Sequence, residues 1–353
     1  MTTLHVTHPN GQYAVHVWRG AQADAGRLMA EAGLTGKTAI ITNESVGALY
    51  GEALRSTLQQ AGLDAVVLRV PDGENHKTLA TVSSLYDRLI EHGLDRGSAV
   101  VALGGGVVGD MAGLVAATYL RGVPLVQAPT TLLAMIDSSL GGKVAVDHPR
   151  GKNLIGAFYP PRLVITDPDV LATLPAEEWR AGLAEVIKHG IIADRTLFEH
   201  LERHGTEPLE WVVQRGITVK VEIIQEDPYE HGRRAVLNLG HTFGHAFETI
   251  SNFRLRHGEA VGIGLVAAAR TARALDICPR EVEARITALL ERFAIPTRFR
   301  GGSPAAIRAA MQTDKKRRGK RLRFVLPQDI GAVTIRDDVP DEIIHDVLVS
   351  LTE

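Results

Sequence analysis

Two histidines four positions apart are the residues best suited to chemistry. His241 and His245 lie in a segment with a helical pattern, and residues four apart share one helix face, as paired metal ligands do. A short turn over 251–256 would fold the next helix back and bring His257 close to His241. Glu185, on another predicted helix, would add a carboxylate. Three ligands with one open position are typical of catalytic zinc sites.

An ordinary helix-surface role for these histidines remains the alternative. The chain has 14 histidines, so some pairs at this spacing arise by chance. The neighbouring Gly240 and Gly244 favour a site.

Glycine-rich or polar segments follow several predicted strands. Residues 104–110 read GGGVVGD between a strand and a helix, where backbone amides and a helix N-terminus suit an anionic group. The spacing fits neither the dinucleotide fingerprint nor the Walker loop, so a pyrophosphate cradle and a structural turn both remain open. Segments 71–77 and 129–131 also follow strands, where an open α/β sheet binds its ligand.

Lysines are scarce in this arginine-rich chain, and two flank a glycine-bounded loop. Lys143 and Lys152 suit a substrate phosphate or carboxylate, and Asp137 lies just upstream. This surplus of cations predicts a substrate with two anionic groups. A nicotinamide cofactor would accept hydride from a carbinol carbon, and a Lewis-acid metal would favour its loss. Further cations of this kind are Lys188, Lys220 and Arg234.

The elements that position these residues fall into two halves. Alternating strands and helices predict a mostly parallel sheet for residues 1–172 and helical periodicity predicts a mainly helical domain for 173–353. The predicted strands are 13–18, 38–42, 65–70, 99–103, 124–128, 163–166, 323–326 and 332–335. The predicted helices are 46–61, 79–92, 176–192, 209–226, 240–252, 257–275, 280–293 and 341–351.

Composition narrows the class of protein. With 353 residues, 45% apolar and 23% charged, the chain suits two globular domains of ~100–200 residues each. A net charge of −2 gives no bulk attraction to nucleic acid or anionic lipid. We expect no membrane span, because no uncharged apolar run approaches ~18 residues. A polar first ten residues and a single cysteine, Cys278, lead us to expect a cytoplasmic protein.

The ordered motifs from about residue 43 to 326 resemble those of the 3-dehydroquinate synthases. Many motifs in family-like order make chance similarity negligible. They are PDGENHK (71–77), GGGVVGD (104–110), YLRG (119–122), PTTLLAMIDSSLGGK (129–143), GKNLIGAFYPP (151–161), GLAEVIKHG (182–190), RAVLNLGHTFGHAFE (234–248), RHGEAVGIGL (256–265) and DKK (314–316).

The resemblance implies an α/β NAD-binding domain followed by a mainly helical metal- and substrate-binding domain. It implies a lyase of the shikimate pathway that converts 3-deoxy-D-arabino-heptulosonate 7-phosphate to 3-dehydroquinate and phosphate. The family uses NAD⁺ catalytically, with Zn²⁺ or Co²⁺, through oxidation at C5, phosphate elimination, reduction, ring opening and aldol closure. Family members are usually homodimers.

The resemblance also implies roles for individual residues. The metal ligands become Glu185, His241 and His257, and His245 becomes an acid/base residue instead of a ligand. Asp137 would lie near the reacting carbon, Glu230 would order the water network, and Arg121 would reach a neighbouring subunit's substrate phosphate. Substrate contacts would be Lys143, Asn153, Lys188, Lys220, Arg234, Asn238 and either Lys315 or Lys316. The NAD site would comprise Asn43, Asp72, Gly73, Glu74, Lys77, Gly104, Gly105, Gly106, Val107, Asp110, Thr130, Thr131, Lys143, Lys152 and Thr173.

Three alternatives remain. Cyclases that make 2-deoxy-scyllo-inosose or valiolone-type rings share the first steps but accept substrates without a carboxylate; Asn238, His245 and the DKK segment favour the carboxylate. A metal-dependent polyol dehydrogenase would accumulate NADH. A non-enzymatic NAD-sensing protein would not need all the metal and lysine positions that this chain retains.

Overall fold

The chain divides by its internal contacts into two units, Met1–Leu174 and Pro175–Glu353. A computed structural model describes residues 1–252, 254–318 and 322–352, with the side chains of 313–318 also left undescribed. The division falls two residues after the boundary placed by the sequence, where Pro175 precedes a long helix.

Short β-branched runs alternate with helices through the first unit. Its strands are β1 (Thr2–His8), β2 (Gly11–Val17), β3 (Thr38–Asn43), β4 (Ala65–Val70), β5 (Ala99–Gly104), β6 (Leu125–Pro129), β7 (Lys143–His148), β8 (Gly151–Phe158) and β9 (Leu163–Thr166). Its helices are α1 (Ala25–Glu31), α2 (Glu44–Val46), α3 (Glu52–Gln60), α4 (Leu79–Glu91) and α5 (Gly106–Thr118).

Seven of these strands form one sheet in the order β1-β2-β9-β6-β5-β3-β4, parallel except for the β1–β2 pair. Successive residues of β3 point to opposite faces: Ile41 packs with α4 and α5, and Ile40 packs with α1 and α3. Helices therefore cover both faces, as a parallel sheet requires. The chain passes from β3 to β4 on one side and returns to β5 on the other, so the strand order reverses between β3 and β5.

The stretch that joins Lys143 to Lys152 is an antiparallel hairpin, β7–β8, where the sequence suggested a loop. Val144 and Val146 alternate inward and pack on α5, which explains the strand. Gly113 of α5 makes room for this contact, because a Cβ there would lie 2.3 Å from a methyl of Val144. The sequence did not predict these strands because glycines interrupt the short alternation of apolar and polar residues.

The second unit is mainly helical, as predicted. Its elements are α6 (Ala176–Ala193), α7 (Arg195–His204), α8 (Leu209–Glu226), α9 (His241–Ile250), α10 (His257–Ala274), α11 (Arg280–Arg292), α12 (Pro304–Arg318), β10 (Phe324–Asp329), β11 (Ala332–Arg336) and α13 (Asp341–Thr352). The small residues of α10 are buried on nearly every side, and this helix packs against α6, α9, α11 and α13. None of the helices in the described part of the chain has the length and apolarity to cross a membrane.

Candidate active site

Three glycines let helices of the second unit approach closely. A Cβ on Gly258, at the start of α10, would lie 2.1 Å from the carbonyl oxygen of Ala181 on α6. A Cβ on Gly264 would lie 2.0 Å from the carbonyl oxygen of Gly240, which itself has a φ of +80° just before α9. Only hydrogen fits at these positions, so α6, α9 and α10 meet backbone to backbone.

This approach brings Glu185, His241 and His257 together. Glu185 Oε1 lies 3.8 Å from His241 Nε2 and 3.5 Å from His257 Nε2. One candidate ligand atom from each of the three residues lies within 4.8 Å of the others. The two imidazole centroids are 5.1 Å apart, so the turn after α9 does return His257 to His241 as the sequence indicated.

The spacing of these atoms suits a divalent metal. Nitrogen and oxygen ligands ~2.0–2.1 Å from a common tetrahedral zinc ion lie roughly 3.3 Å apart. The 3.5 and 3.8 Å separations are close to that value but long for hydrogen bonds between the same atoms. Glu185 is completely buried, with its Oε2 beside the Lys188 ammonium and its Oε1 facing the two histidines. A buried carboxylate of this kind, facing two imidazoles, has the donor chemistry of a zinc or cobalt site.

Electrostatics keep the carboxylate ionised and one imidazole neutral. Burial raises the pKa of Glu185, but the ammonium of Lys188, with the two histidines, overcomes this and holds that pKa well below its usual range. Lys188 is itself buried and forms an ion pair with Glu185. Burial and then Lys188 hold the pKa of His241 well below its usual range, so this ring keeps a free lone pair for a ligand.

His257 behaves differently because it lies between two carboxylates. Burial lowers the pKa of His257, but the neighbouring carboxylates of Glu185 and Glu248 outweigh this and raise it to about 10. Glu248 was missed by the sequence analysis. Its position seven residues after His241 was the available signal, because residues i, i+4 and i+7 share one helix face. With His245 it forms a second group of potential ligand atoms, His245, Glu248 and His257, within 4.8 Å of one another.

Other sequence candidates of the second unit lie on the elements around this cluster. The ring of His245 is 5.4 Å from that of His241 and 6.2 Å from that of His257. Asn238, three residues before α9, donates to Glu230 at 3.0 Å. The remaining two cations are buried, Lys220 on α8 and Arg234 in the short helical segment Arg233–Asn238.

The candidate NAD residues of the first unit lie at the carboxyl ends of its parallel strands. Asn43 ends β3, Gly104 ends β5 and Thr130 follows β6. β3 and β5 are the strands between which the order reverses, and this is where doubly wound sheets bind nucleotides. Thr173 follows β9 and bonds the hydroxyl of Tyr50 at 2.6 Å.

The glycines of residues 104–106, called the glycine loop below, are required at this edge for steric reasons. A Cβ on Gly104 would lie 2.7 Å from Val108, one on Gly105 3.0 Å from Thr131, and one on Gly106 3.1 Å from the hydroxyl of Ser138. The glycines alone therefore do not decide between a structural turn and a ligand cradle. Val107 occupies the first turn of α5.

Unused hydroxyls beside this loop favour a ligand. The buried hydroxyl oxygens of Thr130 and Ser138 have no hydrogen-bond partner within the described ranges, and Gly106 begins a 13-residue helix. Amides of a helix N-terminus and spare hydroxyl donors suit a pyrophosphate. Thr131, in contrast, already accepts from the backbone of Ala134 at 3.1 Å. Ser138 was not among the sequence candidates.

Lys77 joins three segments of the first unit. Its buried ammonium donates to Asp110 of α5 at 2.6 Å and to Asn153 of β8 at 2.5 Å. Asn153 has a φ of +55°, and its backbone N–H donates to the Asp147 carboxylate at 2.8 Å. The motif 71–77, the helix after the glycine loop and the hairpin are thus held together.

Two further contacts fix the motif 71–77. Asp72 bonds Asn43 and also accepts from Ser45 at 2.8 Å. Gly73 has a φ of +105°, which requires glycine at the turn, and the next residue, Glu74, lies 3.3 Å from Lys152.

The remaining candidates lie on other segments or outside the described residues. Arg121 follows the far end of α5, about 20 Å from the glycine loop at ~1.5 Å per residue. Lys143 is exposed at the start of β7, and Asp137 lies in the helical segment Ala134–Ser138 that precedes the hairpin. The side chains of Lys315 and Lys316 lie outside the described residues.

Comparisons with known proteins agree with this architecture. Residues 67–181 match the family model of the 3-dehydroquinate synthase N-terminal domain, and residues 182–317 match that of the C-terminal domain. A 3-dehydroquinate synthase from a Synechococcus species is 47% identical, over 98% of this chain and 97% of the relative.

Solved structures of related cyclases share the fold. The 2-epi-5-epi-valiolone synthase of Streptomyces hygroscopicus, with NAD⁺ and Zn²⁺ bound, matches with a TM-score of 0.88 at 30% identity, over 99% of this chain and 98% of that one. A 2-deoxy-scyllo-inosose synthase complexed with carbaglucose-6-phosphate, NAD⁺ and Co²⁺ matches with a TM-score of 0.88 at 27% identity, over 99% of both chains. The expected fold class is therefore confirmed, and the chain belongs to the 3-dehydroquinate synthase family.

Proposed function

We propose that this chain is a 3-dehydroquinate synthase, a carbon–oxygen lyase of the shikimate pathway. It would convert 3-deoxy-D-arabino-heptulosonate 7-phosphate to 3-dehydroquinate and phosphate with NAD⁺ and Zn²⁺ or Co²⁺. The observation that carries the proposal is the buried Glu185 facing His241 and His257, with the Lys188 ammonium beside it. The 47% identity to a 3-dehydroquinate synthase over nearly the whole chain favours this activity over carboxylate-free cyclization or net dehydrogenation.

The cofactors define the chemistry that the residues must support. NAD⁺, when bound, would supply reversible acceptance of a hydride from C5, the redox chemistry that acidifies the adjacent C–H bond before phosphate loss. Glu185, His241 and His257 would hold the divalent ion, which would supply Lewis-acid polarisation of substrate oxygens.

The chain's own residues bind and orient the substrate. Lys188, Lys220 and Arg234 are buried cations, which bind phosphate and carboxylate groups more strongly in a low dielectric than in water. Asn238 and Glu230 are held to each other at 3.0 Å and provide polar groups beside α9 for the hydroxyls. His245 is half-buried beside both metal-ligand histidines, where its ring can exchange a proton with a substrate hydroxyl.

Residues at the sheet edge would hold the dinucleotide. The amides of Gly105 to Val107 and the spare hydroxyl of Thr130 suit the pyrophosphate. Asp72, fixed by Asn43 and Ser45, offers a carboxylate to a ribose. Asp110 pairs with the buried ammonium of Lys77, and this contact limits movement at this edge.

A homodimer and a cytoplasmic location complete the proposal. Leu154 and Phe158 of β8 are 61% and 51% exposed, and this apolar face of the hairpin suits contact with a second copy. Arg121, held away from the glycine loop by α5, would reach a neighbouring subunit's substrate. The only cysteine, Cys278, is buried and needs no oxidising compartment.

The test compares substrates that differ in the carboxylate. Purified chain with Zn²⁺ and NAD⁺ is given heptulosonate 7-phosphate or glucose 6-phosphate, and the carbocyclic product is identified by mass spectrometry. We expect 3-dehydroquinate from the first and no turnover of the second. Turnover of glucose 6-phosphate alone would replace this proposal with a carboxylate-free cyclase. His245→Ala should lose most turnover, whereas the exposed His204→Ala, on α7, serves as its matched control.

A further inference from the structure

We propose that Glu248 is a positioning residue that orients the His257 imidazole, so that Nε2 presents its lone pair to the metal. The inference rests on the proposed metal site. Glu248 Oε1 lies 3.4 Å from His257 Nδ1, while His257 Nε2 lies 3.5 Å from Glu185 Oε1. The ring is thus held between two carboxylates, one at each nitrogen.

The tautomer of a neutral imidazole follows from this arrangement. A neutral histidine has one N–H and one lone pair, and the acceptor beside one nitrogen decides which nitrogen carries the proton. With Glu248 beside Nδ1, the proton stays there and Nε2 keeps the lone pair. Reversal of the tautomer would point an N–H at the metal position.

His241 provides an internal comparison. Its Nδ1 lies 3.2 Å from the carbonyl oxygen of Leu239, and its Nε2 faces Glu185. Both histidines therefore have an acceptor at Nδ1 and turn Nε2 towards the same carboxylate. The backbone supplies the acceptor for His241, whereas His257, as the first residue of α10, depends on a side chain.

The exposure of His257 explains why its ring needs a second residue to orient it. Its side chain is 34% exposed, so packing alone does not hold the ring. Glu248 is 6% exposed and lies on helix α9, seven residues after His241. A buried carboxylate on a fixed helix can hold the ring through the contact at Nδ1.

The alternative is that Glu248 is itself a ligand, in the set His245, Glu248 and His257. The two arrangements need different nitrogens of His257. Nε2 faces Glu185, and Nδ1 faces Glu248. They therefore predict different effects of removing His241 and of replacing Glu248 by its amide.

The experiment measures metal affinity without substrate or NAD⁺. Zn²⁺ dissociation constants are obtained by chelator competition, and Co²⁺ binding by visible absorbance, for wild type, Glu248→Ala, Glu248→Gln and His241→Ala. The exposed Glu222→Ala on α8 removes a carboxylate from the same unit and serves as the control. Thermal unfolding of the metal-free proteins establishes that each variant is folded.

We expect Glu248→Ala to weaken Zn²⁺ binding by ~10–100-fold, the usual effect of losing an outer acceptor of a ligating histidine. Glu248→Gln should restore most of the affinity, because its amide oxygen still accepts from Nδ1–H. Affinity within twofold of wild type for Glu248→Ala would overturn the inference. So would equal losses in the Ala and Gln variants together with tight binding by His241→Ala, since Glu248 would then be a ligand. Failure of the wild type to bind either ion would instead reject the proposed metal site.

Discussion

Replacement of Gly258 by alanine tests how the metal cluster is assembled. The new Cβ would lie 2.1 Å from the carbonyl oxygen of Ala181 and 2.3 Å from its Cα. Both are backbone atoms, so no side-chain rotation relieves the overlap. Ordinary carbon–oxygen contact requires about 3.4 Å, and α10 must therefore move away from α6 by about 1 Å.

The displacement acts directly on two proposed ligands. Gly258 follows His257, and Glu185 lies one helical turn after Ala181. The 3.5 Å separation between His257 Nε2 and Glu185 Oε1 would grow to about 4.5 Å, against roughly 3.3 Å for ligands of one zinc ion. Overpacking of this kind costs about 1–3 kcal/mol, and each ~1.4 kcal/mol is tenfold in affinity. We expect Zn²⁺ affinity to fall about 10–100-fold.

The assay is Zn²⁺ competition with a chelator, accompanied by thermal unfolding of the metal-free protein. Gly51→Ala is the matched control, because its Cβ would meet only a Val67 methyl, at 3.5 Å. The control should keep wild-type affinity and stability. Wild-type affinity and melting temperature in Gly258→Ala would refute the claim that close backbone approach of α6 and α10 builds the cluster.

Two further outcomes are expected. The pKa of about 10 for metal-free His257 means that this ring carries a proton at pH 8, which Zn²⁺ must displace. Calorimetry in buffers of different ionisation enthalpy should show about one proton released, and affinity should strengthen as pH rises towards 10; pH-independent affinity would contradict this. Lys152→Ala should raise the KM for NAD⁺ or substrate roughly tenfold because an ammonium is lost from an anion site; unchanged kinetics would remove it from that site.

Much of the fold follows from local pattern. The central strands β3, β5 and β6 are apolar runs bounded by polar or glycine residues, and α6, α8 and α10 have long, regular periodicity. The sequence did not predict β7 and β8. One face of a two-stranded hairpin is exposed, so the alternation of apolar and polar residues is weak and is interrupted by glycines. Helix α7 was not predicted either, because it is short and mostly charged, with Leu197, Phe198 and Leu201 as its buried residues.

In the candidate site too, the features set by local geometry were predictable and those set by tertiary packing were not. The spacing of His241 and His245 and the return of His257 were readable from the sequence, because both depend on helix geometry and one short turn. The contribution of Glu185 is a long-range contact. The residues alone made it a candidate carboxylate on another predicted helix, and the family resemblance assigned it as a ligand. Glu248 has a readable helical spacing, but its burial against the ring depends on tertiary packing.

The account's central claim is a redox-neutral reaction in which NAD⁺ is regenerated in every cycle. The direct test gives the Zn²⁺-loaded protein heptulosonate 7-phosphate with substoichiometric NAD⁺ and follows released phosphate and absorbance at ~340 nm together. The account predicts many phosphates per NAD⁺ and no lasting NADH. NADH that accumulates without phosphate release would contradict it and indicate a dehydrogenase.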